Sequence, residues 1–222
     1  MWRQVQPMIP LDILSDPICP WCLIGKTQLD RALSDRGSPF RISWHPFQLN
    51  PDMPRGGMDR RAYLETKFGG KENAAAVYAR IDRAAEAAGL SIDWGSIRRT
   101  PNTLDAHRVL LWAGLEDRQD AVADGLFGAY FREGRDIGDR EVLADIAGAA
   151  GMDREVIARL LSGTTDEEEV RTRDAHARQR GVQAVPTFIV AERHVVPGAQ
   201  PPELWARVIE ELTAVPEGVR PS

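Results

Sequence analysis

The only two cysteines of this 222-residue chain form Cys19-Pro20-Trp21-Cys22, directly after the apolar run Leu11, Ile13, Leu14 and directly before a helix-like stretch. Two intervening residues let both sulfurs meet at the first turn of a helix. Unpaired backbone N–H groups and the positive end of the helix dipole favour a thiolate there. With Cys19 as the N-cap residue, Pro20 falls at the first helical position, where its missing N–H costs nothing and its fixed φ suits the helix. Cys19 gains most from this placement and is expected to be the exposed thiol, with Trp21 beside it as a flat apolar surface. The motif therefore predicts a dithiol/disulfide redox site carried on a strand-to-helix junction.

Two blander readings carry less weight. A disulfide across two intervening residues closes a very short loop and constrains the unfolded chain little. A zinc site needs about four ligands, and the other candidates, His45, His107, His176 and His194, lack the short histidine spacing of a finger.

With 43% hydrophobic residues the chain can build a real core, as one large domain or a domain carrying an insertion. Its net charge is −5 and no basic block is free of acidic neighbours, which argues against a nucleic-acid or anionic-membrane surface. Met1 to Pro10 holds one arginine, two prolines and no apolar signal-like run, so a cytoplasmic location is expected. In a reducing compartment a lone cysteine pair is more often catalytic than structural.

Leu11 to Ser15 reads as a strand, Leu23, Leu29 and Leu33 as the buried face of a helix ending near Gly37, and Phe40 to Phe47 as a second strand. From about Asp59 to Arg180 the pattern is helical and well punctuated. One helix stops at Gly69-Gly70 and an alanine-rich one at Gly89. Asn102 or Thr103 caps the next, and another buries Val122, Leu126, Phe127 and Tyr130. Asp139 and Asp153 are N-cap candidates, and the acids at 166–169 precede a run of arginines as the helix dipole favours. Strand signals return at Thr187 to Ala191 and His194 to Val196, before a final helix from Pro202 to Leu212. A βαβ start, a helical middle and a ββα end predict an α/β thioredoxin-like sheet with a large all-helical insertion. The boundaries are 10–58 and 182–214 for the sheet domain and 59–181 for the insertion. The ends, 1–9 and 214–222, are expected to be loose.

The segments S-D-P-I-C-P-W-C-L-I-G-K, W-H-P-F-Q-L-N-P-D-M-P, N-T-L-D-A-H-R, L-F-G-A-Y-F-R-E-G-R-D-I, V-P-T-F-I-V and P-G-A-Q together resemble the DsbA-like family, in its cytoplasmic FrnE-like branch. The resemblance runs in order over nearly the whole chain. It implies Cys19 as nucleophile, Cys22 as resolving thiol, and Pro186 as a cis-proline that turns the backbone of Val185 toward an extended substrate. It also implies no bound metal or organic cofactor. The same superfamily holds kappa-class glutathione transferases and 2-hydroxychromene-2-carboxylate isomerases, which carry serine at the position of Cys19. Asn50 resembles a glutathione-contacting position there, whereas Gln200 stands where those proteins place an acid. Periplasmic members carry histidine at the position of Trp21.

The expected activity is thiol:disulfide exchange with protein or small-molecule thiols and disulfides, with glutathione left open as a co-substrate. Candidate substrate-binding residues are Pro20, Trp21, Val185, Pro186, Asn50 and His107. The rivals are a glutathione-dependent isomerase or transferase, and a non-enzymatic redox sensor or holdase that presents Tyr63, Phe68, Phe127 and Phe131 as an apolar surface. The tryptophans at 44, 94, 112 and 205 read as packing.

Overall fold

A computed structural model of the protein describes residues 8–34 and 38–214. The apolar run after Met8 forms β1 (Ile9–Ser15), the CxxC segment opens α1 (Pro20–Ser34), and the chain returns as β2 (Phe40–Pro46). Next come β3 (Met58–Asp59), α2 (Arg60–Phe68), α3 (Lys71–Ala87) and β4 (Arg99–Thr100). The helical middle continues with α4 (Leu104–Leu115), α5 (Gln119–Phe131), α6 (Arg140–Ala149), α7 (Arg154–Ser162) and α8 (Glu167–Gln179). The end is β5 (Thr187–Val190), β6 (His194–Pro197) and α9 (Pro202–Thr213).

β1 and β2 run parallel, from Ile9 opposite Phe40 to Ser15 opposite Pro46, as their crossover through α1 requires. β5 pairs antiparallel with the other edge of β1, Leu11 facing Val190 and Leu14 facing Thr187, giving the order β2-β1-β5-β6. This is the thioredoxin-like sheet with a helical insertion that the sequence predicts. The β5–β6 turn places Ala191 and Glu192 at φ 52° and 59°, two consecutive left-handed residues of the kind a tight hairpin needs.

Several helix boundaries follow from local chemistry that the sequence displays. Gly69 ends α2 in a left-handed conformation, and the side chains of Asp139 and Asp153 accept N–H bonds from the first turns of α6 and α7. Asn102 performs the capping ahead of α4, its Oδ1 accepting from Leu104 N at 2.9 Å, while Thr103 makes no such bond. α1 ends at Ser34, and Gly37 lies outside the described residues. Of the ends expected to be loose, Met8 is exposed, Ile9 already begins β1 and Ala214 caps α9; residues 1–7 and 215–222 lie outside the described residues.

One hydrophobic cluster runs from the sheet into the helical middle, containing Leu11, Ile13, Phe188 and Trp205 together with Val122, Phe127, Leu143 and Leu161. Trp205 is fully buried beneath the sheet, its ring 4.8 Å from Phe188 in an edge-on contact. Phe127 and Phe131 belong to this core at 3% and 0% exposure, and Tyr63 and Phe68 are half-buried. The apolar surface expected from these four residues is therefore not formed. α5 is apolar around most of its circumference, so both its phenylalanines turn inward.

A small satellite cluster of Ile24 with Ile81, Ala85 and Ala88 seats α3 against α1. Two buried cations tie the helices together. Arg108, fully buried, donates to the carbonyls of Leu160, Gly163 and Thr165 and to Asp105. Lys26, at 4% exposure, reaches Asp30 at 2.7 Å and Asp124 at 2.9 Å, with Asp120 at 3.6 Å.

Candidate active site

Cys19 is the N-cap residue of α1: its carbonyl accepts from Cys22 N at 3.1 Å and Leu23 N at 3.2 Å, and Pro20 takes the first helical position. Both cysteines are free thiols. The two are nearly equally buried, Cys19 at 3% and Cys22 at 2% exposure, which corrects the expectation of an exposed nucleophile. The physical reason is the buried Val185-Pro186 segment ahead of β5. Cys19 Sγ lies 3.6 Å from the Val185 carbonyl oxygen, and the Val185–Pro186 peptide bond is cis. Gly25, one turn along α1, makes this approach possible, since a Cβ there would stand 2.9 Å from Pro186 Cγ and 3.3 Å from Phe188 Cζ.

Burial pushes the Cys22 thiol well above its ordinary pKa, and the neighbouring Cys19 adds to the rise. The Ser15 hydroxyl and the Asp16 backbone N–H pull the other way without reversing it, so Cys22 holds its proton at neutral pH. Trp21 is half-buried, packed between the main core and the α1–α3 seam.

Asp16, three residues before Cys19, has no exposed surface. Its Oδ1 accepts from Ile18 N at 3.4 Å, and its Oδ2 accepts from Leu49 N at 2.7 Å. One carboxyl thus braces the segment leading to Cys19 against the loop leading to Asn50. Burial raises its pKa to about 7, although the Leu49 and Ile18 N–H groups, the Thr103 hydroxyl and Lys67 all oppose the rise. His107 faces it from α4, with Nε2 3.9 Å from Asp16 Oδ1 and without a hydrogen-bond partner. Burial lowers the His107 pKa to about 4, so the ring is neutral.

Asn50 joins a different group. Its Oδ1 accepts from Tyr63 Oη at 3.0 Å and from Lys67 Nζ at 3.2 Å, whereas its buried Nδ2 has no partner. These three residues line a cavity of about 470 Å³ whose walls include Leu49, Met53 and Met58, but neither cysteine. The structure thus brings Cys19, Cys22, Pro20, Val185 and Pro186 together, and links Asn50 and His107 to them through Asp16. Gln200 turns away to the Pro197 carbonyl. His45 lies 2.8 Å from Asp12, and His176 and His194 are exposed. Among the described residues no three His, Cys, Asp or Glu side chains are gathered to hold a metal ion.

Sequence reasoning missed Asp16 and the Tyr63–Lys67 pair. The available signal was an acid wedged between an apolar strand and a buried helix start, where any carboxyl must be desolvated or paired.

A family model described as a DSBA-like thioredoxin domain matches residues 10–210. The uncharacterized protein YwbO of Bacillus subtilis (strain 168) is 26% identical over 204 residues, covering 91% of this chain and 96% of the relative. The crystal structure of a probable DsbA oxidoreductase from Streptomyces coelicolor is similar at a TM-score of 0.79 and 28% identity, over 96% of this chain and 94% of that one. The cytosolic disulfide reductase DsbM from Pseudomonas aeruginosa shares the fold at a TM-score of 0.67 and 21% identity, over 91% and 98% of the two chains.

Proposed function

The chain belongs to the DsbA-like thioredoxin family, and from that premise we propose that it is a thiol:disulfide oxidoreductase working through a mixed disulfide at Cys19. The observation that carries the reading is the placement of two free thiols at the start of α1 with Cys19 Sγ against the Val185 carbonyl. The Cys19 thiolate attacks one sulfur of a substrate disulfide, and an S–S bond forms between Cys19 and that half. The other half leaves as a thiolate and takes a proton. Cys22 then loses its proton and attacks Cys19 Sγ, expelling the second half as a thiolate. Substrate gains two electrons and the CxxC pair loses two; the same steps in reverse oxidise a dithiol. On this reading Pro20 and Trp21 border the incoming partner, and Val185-Pro186 offers it backbone groups.

Glutathione is the proposed thiol co-substrate that returns the pair to its dithiol form. The unpartnered Asn50 Nδ2 and the Lys67 ammonium on the same cavity support this, since they present a donor and a cation to a peptide carboxylate. The proposed compartment is the cytoplasm, where a glutathione pool is available; no described helix is long and apolar enough to cross a membrane.

Dithiothreitol- or glutathione-driven reduction of insulin tests the reading. Wild type should turn over, Cys19→Ser should be inactive, and Cys22→Ser should accumulate mixed disulfides. If the reaction were instead a glutathione-dependent isomerisation, Cys19→Ser would retain isomerase activity toward a hydroxychromene carboxylate, and wild type would lack disulfide turnover.

A further inference from the structure

A second cavity, of about 610 Å³, lies between α2, α3 and the loop that ends at Arg98, and neither cysteine lines it. Its size is that of a small-molecule site, which typically spans about 300–1,000 Å³. The walls are apolar: Leu64 from α2, Ala74, Ala75 and Tyr78 from α3, Trp94 and Ile97 from the loop. Trp94 is held rigidly. Its Nε1 donates to Asp82 at 2.6 Å, and its ring meets Tyr78 edge-on at 4.5 Å and Phe131 at 6.1 Å.

The charges around this cavity do not balance. Asp59 is committed as the N-cap of α2, and Glu65 is paired with Arg61 at 3.0 Å. Arg60 donates only to hydroxyls, those of Tyr78, Tyr130 and Thr100, and lies 5.7 Å over the Trp94 ring. Among the described residues no carboxylate lies within 4.0 Å of the guanidinium of Arg60 or Arg98. Two cations without an ion-pair partner therefore border an aromatic, apolar pocket whose three arginines outnumber its two acids. None of the residues of α2 is fully buried, so one wall is seated lightly.

We infer that this cavity binds a small organic monoanion with a flat aromatic body, the ring lying against Trp94 and Leu64 and the carboxylate or sulfonate meeting Arg98 and Arg60. An anion there satisfies both guanidiniums with charge-assisted hydrogen bonds, and the aromatic body covers the walls. The site is independent of the redox reading, because its lining includes neither thiol. Trp94 and Trp21 nevertheless pack on the same α1–α3 cluster, so the cavity wall is continuous with the helix that carries the cysteines.

The test is calorimetric and fluorescence titration with 1-anilinonaphthalene-8-sulfonate, against its uncharged relative N-phenyl-1-naphthylamine. The protein is the full chain carrying Cys19→Ser and Cys22→Ser, so that thiol chemistry cannot contribute. One sulfonate should bind per chain, and more tightly than the uncharged probe. Arg98→Gln, at an exposed position, should weaken the sulfonate roughly 10- to 100-fold, the loss of one charge-assisted hydrogen bond, and leave the uncharged probe unchanged. Trp94→Phe, which keeps an aromatic wall, should retain the sulfonate more weakly. No binding, several equivalent sites per chain, or equal affinity in wild type and Arg98→Gln would each overturn the inference.

Discussion

Replacing Asp16 by Asn should make the protein more stable at pH 8 and less stable at pH 4, where only the loss of an acceptor is felt. The wild-type carboxyl titrates near 7 in the folded state against an ordinary value of 3.8, because burial disfavours its charged form. Below pH 3.8 it is protonated in both states and contributes no penalty. As the pH rises toward 7 the unfolded chain ionises first while the folded chain keeps its proton, so stability falls across that window and levels off above it. At about 1.4 kcal/mol per pH unit the full loss is about 4 kcal/mol. Asparagine does not ionise and escapes it. The substitution also removes one acceptor, since a single amide oxygen cannot serve both Ile18 N and Leu49 N. Leaving one buried N–H unsatisfied costs about 1–3 kcal/mol, so the net gain at pH 8 is about 1–3 kcal/mol. For a chain of this size that is a rise in Tm of roughly 2–12 °C. Calorimetric melts of the reduced proteins from pH 4 to pH 8 would show it. A difference that does not change with pH, or a variant that melts lower than wild type at pH 8, would refute the reasoning.

Three further outcomes follow from particular contacts. Gly25→Ala should cost about 1–3 kcal/mol in urea unfolding by overpacking against Pro186, and should slow insulin reduction as that segment is displaced from Cys19. Lys26→Met leaves the partly exposed Asp30, Asp120 and Asp124 facing one another without a cation, and should cost about 1 kcal/mol at pH 7. Burial already raises the Asp30 pKa and Lys26 opposes that rise, so losing the ammonium raises it further and the deficit should shrink at pH 4.5, as urea melts at the two pH values would show. Arg108→Leu strands the carbonyls of Leu160, Gly163 and Thr165 and should destabilise by about 3–5 kcal/mol, seen as a large fall in the urea midpoint.

Much of the architecture was legible because short-range chemistry marks it. The aspartates that cap α6 and α7, the left-handed Gly69 after α2 and the alternation in β1 and β2 each act within a few residues. β3 and β4 escaped because two-residue strands carry no periodicity. Asp166 illustrates the opposite failure. It stands at the N-cap of α8 at φ 60° without capping it, its carboxylate accepting instead from Trp112 Nε1 at 2.7 Å, a partner distant in sequence. In the site, the N-cap position of Cys19 followed from Pro20, whereas its burial depended on Val185-Pro186, more than a hundred residues away. The unbalanced charge of Arg60 and Arg98 is likewise a property of what surrounds them in space. A sequence shows the arginines but not the missing acids.

The sheet also sets a timetable for synthesis. β1 and β2 leave the ribosome well before β5, so the edge of β1 that receives β5 waits until residues 187–190 have been made. Until then the nascent chain carries a strand with one row of backbone donors and acceptors uncovered, a template for pairing with another chain. The Val185 carbonyl that meets Cys19 arrives equally late. A translation product halted anywhere in the helical middle therefore holds both thiols without the segment that covers them, and is sticky and oxidisable until its last strands emerge.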